Sequence, residues 1–190
     1  LELLSRYDIH SIEQPIRAGQ WQEMARLCRQ TPLPIALDEE LIGIYHREEK
    51  EELLNEIRPQ YVVLKPTLHG GLSGAAEWME AAMRRDVGFW VTSALESNVG
   101  LNALAQWVAH LQPQLPPHLA ALPQGLGTGQ LFVENYSGIN LCIEGERLFY
   151  DTAEQRAFCQ ELNDFAAEWH SPYPTLRVQT SGSTGNPKEM

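Results

Sequence analysis

Short apolar runs in this chain alternate with longer stretches whose apolar residues recur every three or four positions. The runs His10–Glu13, Leu33–Leu37, Tyr61–Leu64, Gly88–Thr92 and Leu119–Leu122 predict strands, and the stretches Gln20–Arg29, Arg47–Ile57, Ser73–Asp86 and Ser97–Gln112 predict helices. The last stretch is the clearest, because Leu101, Leu104, Ala105, Val108 and Leu111 form one buried stripe. Alternation of this kind argues for parallel βαβ units. After Leu122 the pattern changes. LPQGLGTGQLFVENY is rich in glycine, and the runs Asn140–Ile143 and Arg147–Tyr150 predict a small hairpin. Thr152 then caps an expected helix through Trp169, with Ala153, Phe158, Leu162 and Phe165 on its apolar face.

The polar residues that close the strands carry more information than the strands. Glu13, Asp38, Lys65 and Ser93 each follow an apolar run directly, at steps of 25, 27 and 28 residues. One step is one βα unit, close to the roughly 31 residues obtained by dividing a (β/α)₈ barrel of about 250 residues by eight. Strand C-termini in such a barrel face a common mouth. With 190 residues the chain is too short for the whole barrel. The expected α/β architecture is therefore a partial barrel over 1–133, a β segment over 134–150 that packs back on it, and a separate element opening at 151–190.

Composition narrows the partners. Hydrophobic residues make up 43% of the chain, enough for an ordinary globular core. Fourteen Lys and Arg against 25 Asp and Glu give a net charge of −11, which repels nucleic acid and anionic membrane surfaces alike. A small-molecule partner is expected instead. Cys28, Cys142 and Cys159 show no CxxC spacing, so a reducing cytoplasm is expected and a thiolate metal site is not. Leu1 at the start and the glycine-rich TSGSTGNPKEM at the end read as cuts from a longer polypeptide. Glu48, Glu49, Glu51 and Glu52, interleaved with Arg47 and Lys50, read as a solvated helix face.

Two carboxylates converging on one mouth are costly to desolvate without a positive partner. Oxygen donors of this kind suit Mg²⁺, which retains positions for water and substrate oxygens. Alone, Glu13 reads as a loop residue beside Pro15 and Asp38 as a helix cap; their regular spacing with Lys65 favours a site. Lys65 stands at the end of the apolar strand Tyr61–Leu64. Glu13 and Asp38 with a metal, and Lys65 beside them, are the parts needed to remove a proton next to a carboxylate and to hold the charge that develops.

The motifs IEQP at Ile12–Pro15, ALDEE at Ala36–Glu40, LKPTLHGG at Leu64–Gly71 and TSALESNVGLNALAQW at Thr92–Trp107 occur in this order. Together they resemble the enolase superfamily and, within it, the o-succinylbenzoate synthases. The resemblance runs from residue 1 to about Tyr150. It implies that Glu13 and Asp38 are two of three Mg²⁺ ligands, that Glu39 is a carboxylate behind them, and that Lys65 stabilises an enolate by its charge. Thr92 and Ser93 would line the substrate pocket. The implied reaction is a syn dehydration of a cyclohexadiene carboxylate through an enediolate, a lyase step of menaquinone biosynthesis. An N-acylamino acid racemase or a dipeptide epimerase on the same barrel is the alternative. The family carries its second catalytic lysine and third metal carboxylate on earlier strands than these, so the 190 residues alone are expected to bind metal poorly and to be inactive.

Two glycine strings remain. GLGTG at Gly125–Gly129 runs into the β-like LFV rather than into a helix, which excludes a dinucleotide loop and leaves a mobile loop over the mouth. TSGSTGNPK at Thr180–Lys188 resembles the phosphate loop of adenylate-forming ligases, the o-succinylbenzoate–CoA ligases in particular. The resemblance places Ser181, Gly182, Ser183, Thr184, Gly185 and Lys188 around ATP phosphates, provided that a complete ligase domain follows. An ATP-dependent acyl-CoA ligase fused to a barrel remnant, or a non-catalytic remnant, are the readings of another class.

Overall fold

Tyr61–Leu64 and Gly88–Val91 are strands for a simple reason: β-branched and aromatic residues fill both of their faces, as a sheet covered by helices requires. In the computed structural model, which describes residues 1–139 and 141–150 and two short pieces at 177–178 and 188–189, they form the heart of a parallel sheet. The strands β1 (Ile12–Glu13), β2 (Ile35–Leu37), β3 (Tyr61–Leu64) and β4 (Gly88–Val91) pair in sequence order. Helices α1 (Trp21–Gln30), α2 (Arg47–Ile57) and α3 (Gly71–Met83) make the crossovers, and α4 (Asn98–Leu111) follows β4. Parallel pairing in consecutive order with helical crossovers is the winding of a barrel wall, so the expected partial barrel is the observed fold.

Strand alternation decides what faces where. Ile35, Leu37, Val62, Leu64, Phe89 and Val91 join Leu53, Leu54, Trp78, Leu101 and Leu104 in one buried core between sheet and helices. The intervening positions, Ala36, Tyr61, Val63 and Trp90, belong to the other face, where His10 packs 4.6 Å from the Tyr61 ring and 5.8 Å from Trp90. Lys50 is buried beneath the outer helices. It donates to the Gly74 carbonyl at 3.0 Å and to Glu77 at 2.7 Å, tying α2 to α3.

One expected strand is absent. Leu119–Leu122 lies instead at a helical turn, α5 (Pro117–Ala120), because Pro117 sits where a fixed φ and a missing N–H favour a helix start. The apolar run is explained by Leu119, which enters the core. Gly125 takes the place beside β4: its N–H donates to the Val91 carbonyl at 2.8 Å, and its carbonyl accepts from Ser93 N–H at 3.0 Å. The glycine string expected as a mobile loop over the mouth is a 3₁₀ turn, Gly127–Leu131, seated on α4 with Leu126 buried.

The expected hairpin is present as β5 (Leu141–Glu144) and β6 (Arg147–Tyr150), paired antiparallel, with Leu141 and Leu148 packed against the core. Asn98 holds the segment before it. Its amide donates to the carbonyls of Tyr136 at 2.7 Å and Ile139 at 3.0 Å, and its oxygen accepts from Tyr136 N–H. The strands β7 (Arg177–Val178) and β8 (Lys188–Glu189) pair antiparallel, with Lys188 opposite Val178. The helix expected from Thr152 to Trp169, and Ser181, Gly182, Ser183, Thr184 and Gly185, lie outside the described residues. Among the described residues no helix is long and apolar enough to cross a membrane.

Candidate active site

The sheet carries Glu13, Asp38 and Lys65 to one place. Glu13 ends β1, Asp38 follows β2 and Lys65 follows β3. Pairing sets Glu13 level with Ala36 and Tyr61, so Asp38 lies two residues further along and Lys65 four, and alternation puts all three side chains at the C-terminal ends of the strands on the face opposite the helix core. Asp38 is 1% exposed and forms an ion pair with the Lys65 ammonium through Oδ2. The Glu13 side chain is exposed, and its carboxyl lies near enough to that of Asp38 for the two to act on each other. Partial burial, and then this contact and the charge of Asp38, raise the Glu13 pKa above the ordinary carboxylate value, while Lys65 opposes the rise.

These residues fit part of a hard-cation site. Asp38 Oδ1 is buried and has no hydrogen-bond partner, and a second carboxyl lies against it. Two carboxylates crowded together with a free oxygen are stabilised by positive charge, which Lys65 supplies in part. Among the described residues no group of three or more His, Cys, Asp and Glu gathers as a metal cluster. The described residues thus bring together two carboxyl groups rather than a closed cage.

A glutamine that the spacing argument passed over braces the pair. Gln14 Oε1 accepts from the N–H of Asp38 at 3.0 Å and of Glu40 at 3.3 Å, while its Nε2 donates to Glu40 Oε2 at 3.1 Å. Glu40, 4% exposed, also accepts from Gly19 N–H at 2.7 Å. Glu39, expected behind the metal ligands, is exposed and acts on Glu13 through its charge; Glu40 is the buried neighbour. Gln14 and Glu40 lie one and two residues beyond Glu13 and Asp38, 26 apart against 25, so the strand-end spacing does not mark them as partners.

The other two expected pocket residues serve the loop after β4. Thr92 is half-buried, and its hydroxyl donates to the Gly125 carbonyl at 3.0 Å. Ser93 donates to Glu96 Oε2 at 2.6 Å and accepts from Leu95 N–H at 2.9 Å. Glu96 also accepts from Ala94 N–H at 2.9 Å and from the hydroxyl of Thr67, which lies on the loop after Lys65. Burial pushes the Glu96 pKa up, but the bonds from Ser93, Thr67 and Ala94 N–H outweigh it and hold it below the ordinary value. Glu96 thus links the loops after β3 and β4.

Comparison with known proteins agrees with this architecture. Residues 1–135 match the enolase C-terminal domain-like family, and the chain belongs to it. An o-succinylbenzoate synthase from Desulfotalea psychrophila is 54% identical over 145 residues, which are 76% of this chain and 37% of that protein. The crystal structure of MenC from the same organism superposes with a TM-score of 0.69, covering 76% of this chain and 38% of that one. An N-succinyl Arg/Lys racemase from Bacillus cereus shares the fold at 22% identity and TM-score 0.64, over 85% of this chain and 42% of that one. The chain spans just over a third of the length of the curated relative from Desulfotalea.

Proposed function

We propose that this chain carries the metal-and-lysine side of a cytoplasmic o-succinylbenzoate synthase site. The observation that carries the reading is the Asp38–Lys65 ion pair beside Glu13, at the strand ends of a chain 54% identical to a synthase of that name. Glu13 and Asp38 would hold Mg²⁺, whose charge favours deprotonation next to the substrate carboxylate. Lys65 keeps a positive charge at the end of β3, where negative charge develops on the substrate as its proton leaves. Proton removal falls by resemblance to a second lysine of the family, on an earlier strand than these. The hydroxyl takes up the proton so removed and leaves as water, which completes the dehydration. The racemase likeness, at 22% identity, speaks to the fold alone.

The reading is tested on the full-length product of the coding frame, supplied with Mg²⁺ and followed by loss of the cyclohexadiene substrate. Asp38→Asn is expected to lower kcat by about 10²-fold or more, since it removes a ligand charge from the developing enediolate. Undiminished turnover in that variant ends the ligand assignment. Epimerisation of N-succinylamino acids without dehydration transfers the site to the racemases. The string TSGSTGNPK supports a second proposal, that 151–190 opens an ATP-dependent acyl-CoA ligase consuming the synthase's product. A downstream frame without a ligase body would end it.

A further inference from the structure

Lys65 leaves the sheet where its ladder has run out. Register between β2 and β3 stops at Leu37 opposite Val62, so the Lys65 N–H lies beyond the last paired residue of β2. His69 accepts that proton, with Nδ1 at 3.1 Å. The turn between them is tight: Leu68 N–H donates to the Lys65 carbonyl at 2.8 Å and His69 N–H to the Pro66 carbonyl at 3.1 Å. Beyond it the chain turns through Gly70 at φ +86°, and a Cβ on Gly74 would run into the His69 carbonyl oxygen. The Gly74 carbonyl is in turn held by the buried ammonium of Lys50. His69 is thus fixed from α2 and α3 and is wholly buried.

Its protonation follows from the geometry. A ring whose Nδ1 accepts a hydrogen bond, when neutral, carries its proton on Nε2. Burial, with the charges of Lys65 and Lys50 and against that of Asp38, holds the pKa at about 4, so the ring is neutral at pH 7. Nε2 is buried without a partner. An apolar side chain of similar size would fill the same space without that unsatisfied N–H. What an apolar side chain lacks is the acceptor.

We propose that His69 is the positioning residue for Lys65, its Nδ1 fixing the backbone N–H from which the lysine reaches Asp38. The proposal rests on reading Lys65 as the lysine of the site. It adds a residue that contributes through a backbone hydrogen bond rather than by touching substrate.

The test begins on the chain itself. In ¹⁵N-labelled protein a scalar coupling across the hydrogen bond is expected between the Lys65 amide nitrogen and His69 Nδ1, with the ring in its Nε2-protonated form. A folded spectrum with Nδ1 protonated would overturn the proposal. His69→Asn puts an amide oxygen near the place of Nδ1, whereas His69→Leu fills the space without an acceptor. In the full-length enzyme His69→Leu is expected to lower kcat about 10-fold or more with KM within about 2-fold, and His69→Asn to recover most of the loss. Equal losses in both variants, or no loss in His69→Leu, would overturn it. If the wild type shows no dehydration, the proposed function fails. The coupling, and the response of the Lys65 side-chain resonances to the two variants, still decide the role of His69.

Discussion

The imidazole of His69 makes stability depend on pH in a defined direction. Its folded pKa of about 4 lies below the ordinary 6.5, so the unfolded chain binds the proton more readily. The contribution is complete above about pH 6.5 and declines as pH falls toward 4, the total loss being roughly 3 kcal/mol. Urea unfolding at pH 7, 5.5 and 4.5 is expected to show a declining midpoint, and the decline should be shallower in His69→Leu. An identical slope in the two proteins would show that other groups carry it. Glu13, Asp38 and Lys65 were legible in the sequence, because a polar residue closing an apolar strand is a local signal repeated at βα spacing. His69 was not, since its meaning lies in one ring nitrogen and the end of a ladder. Gln14 and Glu40 needed contacts across 26 residues to be understood.

Elements meet at the mouth through their loops, and Glu96 is the clearest joint. It gathers Ser93, Ala94 N–H and Thr67 on one carboxylate, and its stem lies against Gly100, where a Cβ would approach within 2.8 Å. Leu95 is held at φ +65° inside the same turn, a conformation that a branched side chain rarely adopts. Glu96→Ala removes the charged acceptor and is expected to destabilise the chain by about 2 kcal/mol, read by urea unfolding. Loss of the Thr67 bridge should also speed hydrogen exchange in the loops after β3 and β4; unchanged exchange in the Thr67 loop would show that the joint is not carried by this carboxylate. At this scale the sequence was informative where periodicity was sustained. The α2 range is as expected, and α4 differs by one residue at each end. Leu119–Leu122 misled because an apolar run of four reads as a strand until Pro117 is given its weight as a helix start. Gly125 offered no periodic signal for its place beside β4.

For the whole molecule, the decisive property is that a strongly acidic chain presents two of its carboxylates to each other at the end of an open parallel sheet. At −11 the chain is stabilised by any salt through screening, so a rise in Tm with MgCl₂ proves nothing alone. Specific binding has a different form. A ligand that binds only the folded state adds RT ln(1 + [L]/Kd), about 1.4 kcal/mol at tenfold excess over Kd, or roughly 3–6 °C for a domain of this size. In the full-length product of the coding frame, with ionic strength held constant by NaCl, Mg²⁺ is expected to give such an increment to the wild type. Asp38→Asn should lose it while keeping the response to NaCl, because it deletes one of many charges but half of the carboxylate pair. Equal Mg²⁺ responses in the two proteins would show that the divalent ion acts through the overall field and that Glu13 and Asp38 hold no metal. A difference confined to Asp38→Asn would tie the acidity of the whole molecule to one pair of oxygens at the ends of β1 and β2.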